Sequence, residues 1–293
     1  NVFFQMQEKI YNIVLKHKPK AIIYHGDTYT TLASSLVSNF FFPNIKKIHV
    51  EGGYRSGDKI QIEERARTTS DQLSDIIFVT RNEDKKNLFK ENVKSNVFVV
   101  GNSVYQALQN IIKNSRKKSL NTKKYSLKHN KFIYVTIHRS ETVDIKNKLV
   151  KIIKIINFLA KNYKIIFPIH PRTSKNLKNL KIKISSNVIL VPPISYSESI
   201  FLLSKCFFCF SDSGGLQEES VILKKRCLIP SYKTPHTYYL DKNANQLLNI
   251  NNKNYINSVK KFIKSVKNKK MKKFLNKKNT SQLIVKIIKK LIW

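Results

Sequence analysis

Phe207-Phe208-Cys209-Phe210-Ser211-Asp212-Ser213-Gly214-Gly215-Leu216-Gln217-Glu218-Glu219 passes from an apolar run through small residues to an acid pair. Phe207 to Ser211 reads as a buried strand. Small residues then make a turn, and a helix begins. The free N–H groups of such a helix start form an anion site suited to a diphosphate, here at Ser213, Gly214 and Gly215. One turn further, an acid can reach ribose hydroxyls, as acids do in other nucleotide folds, and Glu219 is the candidate. Glycine-rich turns into helices are common, so the neighbours of this stretch must carry part of the reading.

Outward from it, apolar runs of strand length recur between helix-length amphipathic stretches. One series is Ala21–Tyr24, Lys47–Val50, Ile76–Val79 and Val97–Val100. A second is Phe132–Thr136, Lys164–Pro168, Val188–Val191, Phe207–Ser211 and Cys227–Pro230. Strands alternating with helices predict parallel sheets covered on both faces. The Lys-, Asn- and Ser-rich segment from Lys113 to Lys131 lies between the series and reads as a linker. The expected organisation is a first Rossmann-like domain over residues 1–115, a linker over 116–130, a second Rossmann-like domain over 131–275, and a terminal helix over 276–293 that packs back on the first domain. The fold class is α/β: two doubly wound domains facing a cleft. In such sheets ligands bind beyond the carboxyl ends of the strands. Asp27, Glu51, Gly101, His138, His170 and Asp212 all fall at those ends, which predicts one shared site.

A chain of 293 residues with a 41% hydrophobic fraction can fill two cores. No run of about 18 uncharged apolar residues occurs, so no membrane insertion is expected. Phe3 to Lys18 reads as an amphipathic helix with Phe3, Met6, Ile10, Ile13 and Val14 on one side. It lacks the basic start and apolar core of a signal peptide, so the expected location is cytoplasmic. Cys206 and Cys209 have the spacing of a redox or zinc pair but sit in an apolar strand, which favours plain burial. The formal charge of +37 invites a nucleic-acid reading. Yet the lysines are scattered and Asn and Ile are abundant as well, the pattern of an A- and T-rich genome. No nucleic-acid partner is therefore expected, although a basic surface attracts an anionic substrate.

Each remaining motif has a bland alternative. Asp27, in His25-Gly26-Asp27-Thr28, could cap the helix that follows. Glu51, in His49-Val50-Glu51-Gly52-Gly53, could be an ordinary loop charge. Glu63 and Glu64 open a helix and suit its dipole, although one could turn into the cleft. Gly101-Asn102-Ser103 fits both capping and ligand contact. Thr136-Ile137-His138-Arg139 ends a strand with two groups suited to phosphate, or with a surface basic pair.

Taken in order, these pieces resemble the non-hydrolysing UDP-N-acetylglucosamine 2-epimerases. That family carries HGDT, HVEAG, PEE-x-N-R, GNT, T-x-HR and DSGGIQEE. The matching stretches are His25–Thr28, His49–Gly53, Glu63–Arg67, Gly101–Ser103, Thr136–Arg139 and Asp212–Glu219. The resemblance implies the B-type glycosyltransferase fold. It maps the catalytic acids onto Asp27, Glu51 and Glu63, the catalytic histidine onto His138, and nucleotide contacts onto Ser213, Gly214, Gly215 and Glu219, with Arg139 beside the diphosphate. It implies UDP-GlcNAc and UDP-ManNAc as substrates, a homodimer, no cofactor and no metal, and a role in supplying surface polysaccharide. Nothing matches the family's opening strand and GTRPE-like turn, so the first domain is expected to be incomplete. Other departures are Ser199 where the family has an aromatic near the uracil, His236 at an arginine position, Ile62 before the acid pair and Ala66 for the helix-start asparagine.

The mechanism so implied expels UDP, removes the carbon 2 proton to give an unsaturated 2-acetamidoglucal, and adds UDP back after protonation from the other face. It needs donors for the diphosphate, a carboxylate for charge at the anomeric carbon, and a base and an acid on opposite faces. Clustered like charges among the three acids are expected to hold one of them protonated. Rival readings are a UDP-sugar glycosyltransferase of the same fold, a hydrolysing epimerase that releases ManNAc and UDP, and, from charge alone, a nucleic-acid-binding protein.

Overall fold

Ile76-Ile77-Phe78-Val79 is buried at all four positions. A strand so apolar on both faces belongs inside a parallel sheet with a layer on each side. In the computed structural model it does. The structure describes residues 2–115, 122–180, 182–234, 236–240, 243–269, 271 and 279–292. The chain divides into two units, residues 1–106 with 275–293, and residues 107–274.

The first unit runs α1 (Val2–His17), β1 (Ala21–His25), α2 (Tyr29–Phe41), β2 (Lys46–Gly52), α3 (Ile62–Gln72), β3 (Ile76–Val79), α4 (Asn82–Lys90), β4 (Asn96–Val99) and α5 (Ser103–Ser115), the last of which continues into the second unit. Its four strands pair in parallel in the order β1-β2-β3-β4. The β2–β3 register shifts between Val50 and Gly52, a bulge that bends the end of β2. On α1, Val14 is buried, but Ile13, expected on the same side, is 59% exposed. The two positions are about 100° apart around a helix, and Tyr11 instead packs edge-on against Phe41 at 5.3 Å.

The second unit continues with a 3-10 turn at Thr122–Tyr125, then β5 (Phe132–Thr136), α6 (Ser140–Val143), α7 (Lys146–Ala160), β6 (Lys164–Pro168), α8 (Pro171–Leu180), β7 (Val188–Val191), α9 (Tyr196–Lys205), β8 (Phe208–Ser211), α10 (Gly214–Ile222), β9 (Cys227–Ile229), α11 (Thr237–Leu240), β10 (Asn245–Leu247) and α12 (Tyr255–Asn268). Six parallel strands lie in the order β10-β9-β8-β5-β6-β7. The chain starts in the middle at β5, winds outward through β6 and β7, and returns to lay β8 on the other side of β5. The order therefore reverses between β5 and β8, and a crevice opens at their carboxyl ends. Ile133, Val135, Ile152, Ile156, Phe208, Phe210 and Phe262 pack in the core beneath. The helix α13 (Thr280–Ile292) belongs to the first unit, where Ile284 and Ile288 cover Ile48, Val50, Ile76 and Phe78.

The strand β10 was not expected. Of the expected linker, residues 116–121 lie outside the described residues, as do Pro235 and residues 276–278. Cys206, Cys209 and Cys227 are free and buried, and burial pushes the Cys206 and Cys209 thiols well up. They serve as small core residues.

Candidate active site

In the first unit, β1 and β2 end side by side, with His25 paired to Val50. Glu51 sits on the bulge with φ of 67°, in the left-handed region. That conformation costs a side-chain-bearing residue about 1–2 kcal/mol, and such strain tends to collect where a side chain must be aimed. Here it directs Glu51 toward the strand ends. His25 Nε2 lies 3.2 Å from its Oε1, and the Ser103 hydroxyl donates to the same oxygen at 2.8 Å. Ser103 opens α5, so the Gly101–Ser103 turn contributes a contact to Glu51.

Asp27 does not cap α2. That task falls to Thr28, whose hydroxyl accepts from the Thr31 N–H at 3.3 Å. The Asp27 carboxylate is held instead by the Arg67 guanidinium. Arg67, buried on α3, bridges from Asp27 to Glu64. Glu64 also accepts from the N–H groups of Ser56 and Gly57, at 3.0 and 2.9 Å, and from the Ser56 hydroxyl at 3.0 Å. Burial pushes the Glu64 carboxyl up, but these donors and Arg67 outweigh it and hold it below its ordinary value. Glu64 is thereby committed to shaping the turn. Glu63, one residue earlier, is half-buried in the first turn of α3. Of the three acids, Asp27 is paired with Arg67, and Glu51 with His25 and Ser103.

In the second unit, the residues after β5 and β8 meet at the order reversal. Asp212 accepts from the His138 N–H at 3.1 Å and the Arg139 N–H at 2.9 Å, and its Oδ1 lies 3.5 Å from His138 Nδ1. Burial raises the Asp212 carboxyl, and the facing His138 opposes that rise. The His170 ring, after β6, lies 5.7 Å from that of His138. Ser213 caps α10 by accepting from the Leu216 N–H at 3.4 Å. A methyl group on Gly214 would stand 3.5 Å from Arg139 Nη2 and 3.6 Å from His236 Nε2. The helix start, the guanidinium and the imidazole therefore converge on one spot, which suits an anion.

Glu219, one turn along α10, accepts from the Tyr196 hydroxyl at 2.7 Å. Burial raises its carboxyl, against the Tyr196 bond. Its neighbours face the core: Gln217 accepts from Thr234, and Glu218 accepts from Tyr239. Ser199, where an aromatic was looked for, is bonded to the Tyr134 hydroxyl at 2.7 Å. The exposed aromatic of α9 is Tyr196, one turn earlier.

Sequence reasoning passed over three residues here: Arg67 as the partner of Asp27, Asp212 as the anchor of His138 and Arg139, and Tyr196 as the partner of Glu219. Only Arg67 left a usable signal, an acid three residues before it on one helix face. No group of His, Cys, Asp and Glu that could hold a metal occurs among the described residues, and none of their helices is long and apolar enough to cross a membrane.

A parallel unit with acids at its strand ends, and a doubly wound parallel unit with a helix start suited to an anion at its order reversal, define a nucleotide-sugar enzyme of the B-type glycosyltransferase fold. The chain belongs to the UDP-N-acetylglucosamine 2-epimerase family, whose model matches residues 2–289. It is 36% identical over 263 residues to a UDP-N-acetylglucosamine 2-epimerase homolog of Methanococcus maripaludis, covering 88% of this chain and 72% of that one. Among solved structures, the UDP-GlcNAc 2-epimerase of Methanocaldococcus jannaschii, in complex with UDP-GlcNAc and UDP, is 31% identical with a TM-score of 0.89, covering 98% of this chain and 80% of that one. The Neisseria meningitidis enzyme bound to UDP-GlcNAc is 28% identical with a TM-score of 0.87, covering 99% and 81%.

Proposed function

We propose that this chain interconverts UDP-GlcNAc and UDP-ManNAc. The observation that carries the reading is the convergence of Arg139, His236 and the α10 helix start at Gly214, a seat for a departing diphosphate. Glu219 and Tyr196 lie one turn away, where a ribose can be met. His138 and Arg139 stabilise the charge that grows as the carbon 1–oxygen bond breaks. UDP leaves with the bonding electrons, a carboxylate takes the carbon 2 proton, and the carbon 1–carbon 2 double bond forms. A proton then returns to the other face of carbon 2 and the UDP oxygen re-adds at carbon 1, so atoms balance and no redox cofactor is required.

Asp27, Glu51 and Glu63 supply the proton-transfer and charge-stabilising groups. Asp27 is held in place by Arg67. Glu64 is occupied by its four donors, which leaves Glu63 as the acid that serves the reaction. The enzyme acts as a homodimer in the cytoplasm, and its product feeds surface polysaccharide synthesis.

The test is incubation of the chain with UDP-GlcNAc, followed by proton NMR. Appearance of UDP-ManNAc supports the reading. Free ManNAc with UDP would assign a hydrolysing epimerase, and sugar transfer to an added acceptor would assign a glycosyltransferase. Unchanged substrate would count against all three, and static light scattering of the same sample reads the dimer.

A further inference from the structure

His49 and Asp71 form a fully buried pair, each side chain 0% exposed. His49 Nδ1 lies 2.7 Å from Asp71 Oδ1, and its Nε2 lies 2.8 Å from the Gly26 carbonyl oxygen. A carbonyl only accepts, so Nε2 carries a hydrogen. Asp71 also accepts from the Gly53 N–H at 3.1 Å and from Arg55 Nη1 at 2.8 Å. Burial pushes its carboxyl up, but His49 and Arg55 outweigh that and hold it in the ionised form. Nδ1 faces the Asp71 carboxylate, so both ring nitrogens meet acceptors and the ring is held at both ends.

A buried charge is a poor way to gain stability, because desolvation offsets the attraction. An apolar pair would fill the same volume. What the polar pair adds is direction. One end fixes the carbonyl of Gly26, the residue before Asp27. The other end, through Asp71, fixes the N–H of Gly53 and the guanidinium of Arg55, just after Glu51. His49 itself is two residues before Glu51 on β2. The strained Glu51 conformation needs such over-determination to persist. Arg55 is anchored in turn by Glu91 and by the Tyr54 carbonyl.

We propose that His49, bonded to Asp71 through one ring nitrogen and to the Gly26 carbonyl through the other, is a positioning residue that fixes the Asp27 turn against the Glu51 turn. It touches no reacting atom. Its effect is to hold two acids at the separation that turnover requires, and the inference rests on the epimerase reading above.

The experiment compares three variants in the full chain. His49→Asn keeps a donor near Nδ1 and loses the reach to Gly26. His49→Gln can still reach toward Gly26 and loses the Asp71 geometry. Tyr24→Phe is the control: it removes the buried Tyr24–Ser74 bond, 2.6 Å long, from the same wall, where the Tyr24 ring packs 5.4 Å from His49. For each, turnover of UDP-GlcNAc at 25 °C, UDP affinity and melting temperature are measured. Misplacing a group by about 1 Å can cost up to roughly a hundredfold in rate. Both His49 variants are therefore expected to lose about tenfold or more in kcat with UDP affinity unchanged, since the proposed UDP contacts lie in the second unit. Tyr24→Phe should lower the melting temperature and leave kcat within about twofold of the parent.

A merely structural His49 would make kcat follow melting temperature along the same line as Tyr24→Phe, and that result overturns the proposal. It is also overturned if the His49 variants turn over normally, lose UDP affinity in parallel, or both fail to fold at 25 °C, since the pair is then architectural. Absence of turnover in the parent chain is a different result, and it removes the epimerase reading instead.

Discussion

Asp212→Ala is the perturbation that asks most of the second unit. Asp212 is 3% exposed and holds the backbone N–H groups of His138 and Arg139. Removing it leaves two half-buried donors without their acceptor, at up to about 1–3 kcal/mol each. Against that, the buried carboxyl is already raised, and alanine escapes its desolvation cost. The lower end of the range is therefore expected, about 2–3 kcal/mol in all. For a unit of this size that lowers the melting temperature by about 4–12 °C. The larger effect should be on the ligand. Without its anchor the Ile137–Arg139 turn relaxes, and the Arg139 guanidinium leaves the Gly214 spot. UDP affinity, measured by isothermal titration calorimetry, should fall about tenfold or more, the equivalent of 1.4 kcal/mol. Asp212→Asn separates the causes. An amide oxygen at the Oδ2 position still accepts both N–H groups, so most of the UDP affinity should return. If Asp212→Ala binds UDP as tightly as the parent and melts at the same temperature, the carboxylate is not what orients the turn.

Three further outcomes follow from the first unit. Asp71 and Glu64 have lowered folded-state values, so the stability they contribute is present above the unfolded carboxyl range near pH 4 and is lost as pH falls through the lower folded values. Acid unfolding below about pH 4 should be blunted in Asp71→Asn; Asp84, which burial raises, works in the opposite direction and should not produce this loss. Gly53 has φ of +80°, and a methyl group there would stand 2.6 Å from the Asp84 carbonyl oxygen, while Gly26 has φ of +72° with nothing within 4 Å. Gly26→Ala should therefore cost only the left-handed penalty of about 1–2 kcal/mol, and Gly53→Ala clearly more, by urea unfolding. Asp27→Asn, Glu51→Gln and Glu63→Gln should each cut turnover by roughly a hundredfold or more while UDP still binds; if all three remain active, the assignment of the acids fails even though the fold stands.

Nine of the ten strands among the described residues were legible because each is a short apolar run bounded by turn residues; Ile76–Val79, Phe132–Thr136, Lys164–Pro168 and Val188–Val191 match residue for residue. Asn245–Leu247 was not, since three residues containing two amides carry no hydrophobic pattern, and the strand exists only because β9 is there to pair with it. The site was legible where chemistry follows chain direction, as at Ser213–Gly215 after β8. It was illegible where a partner comes from another element. Arg67 reaches Asp27 across 40 positions, Asp212 reaches His138 across 74, and Asp71 reaches His49 across 22. Periodicity reports the face on which a side chain lies, not which distant polar group waits there, so these pairings become visible only once β1 is laid beside β2 and β8 beside β5.

The proposed reaction inverts carbon 2 by elimination and re-addition of UDP. Turnover of UDP-GlcNAc in deuterated water, followed by NMR and mass spectrometry, tests it most directly. Removal of the carbon 2 proton and its replacement from solvent should place deuterium at carbon 2 of both UDP-GlcNAc and UDP-ManNAc, with 2-acetamidoglucal and UDP released by slow variants such as Glu51→Gln. Interconversion of the two sugars with carbon 2 still carrying its original proton would contradict the account.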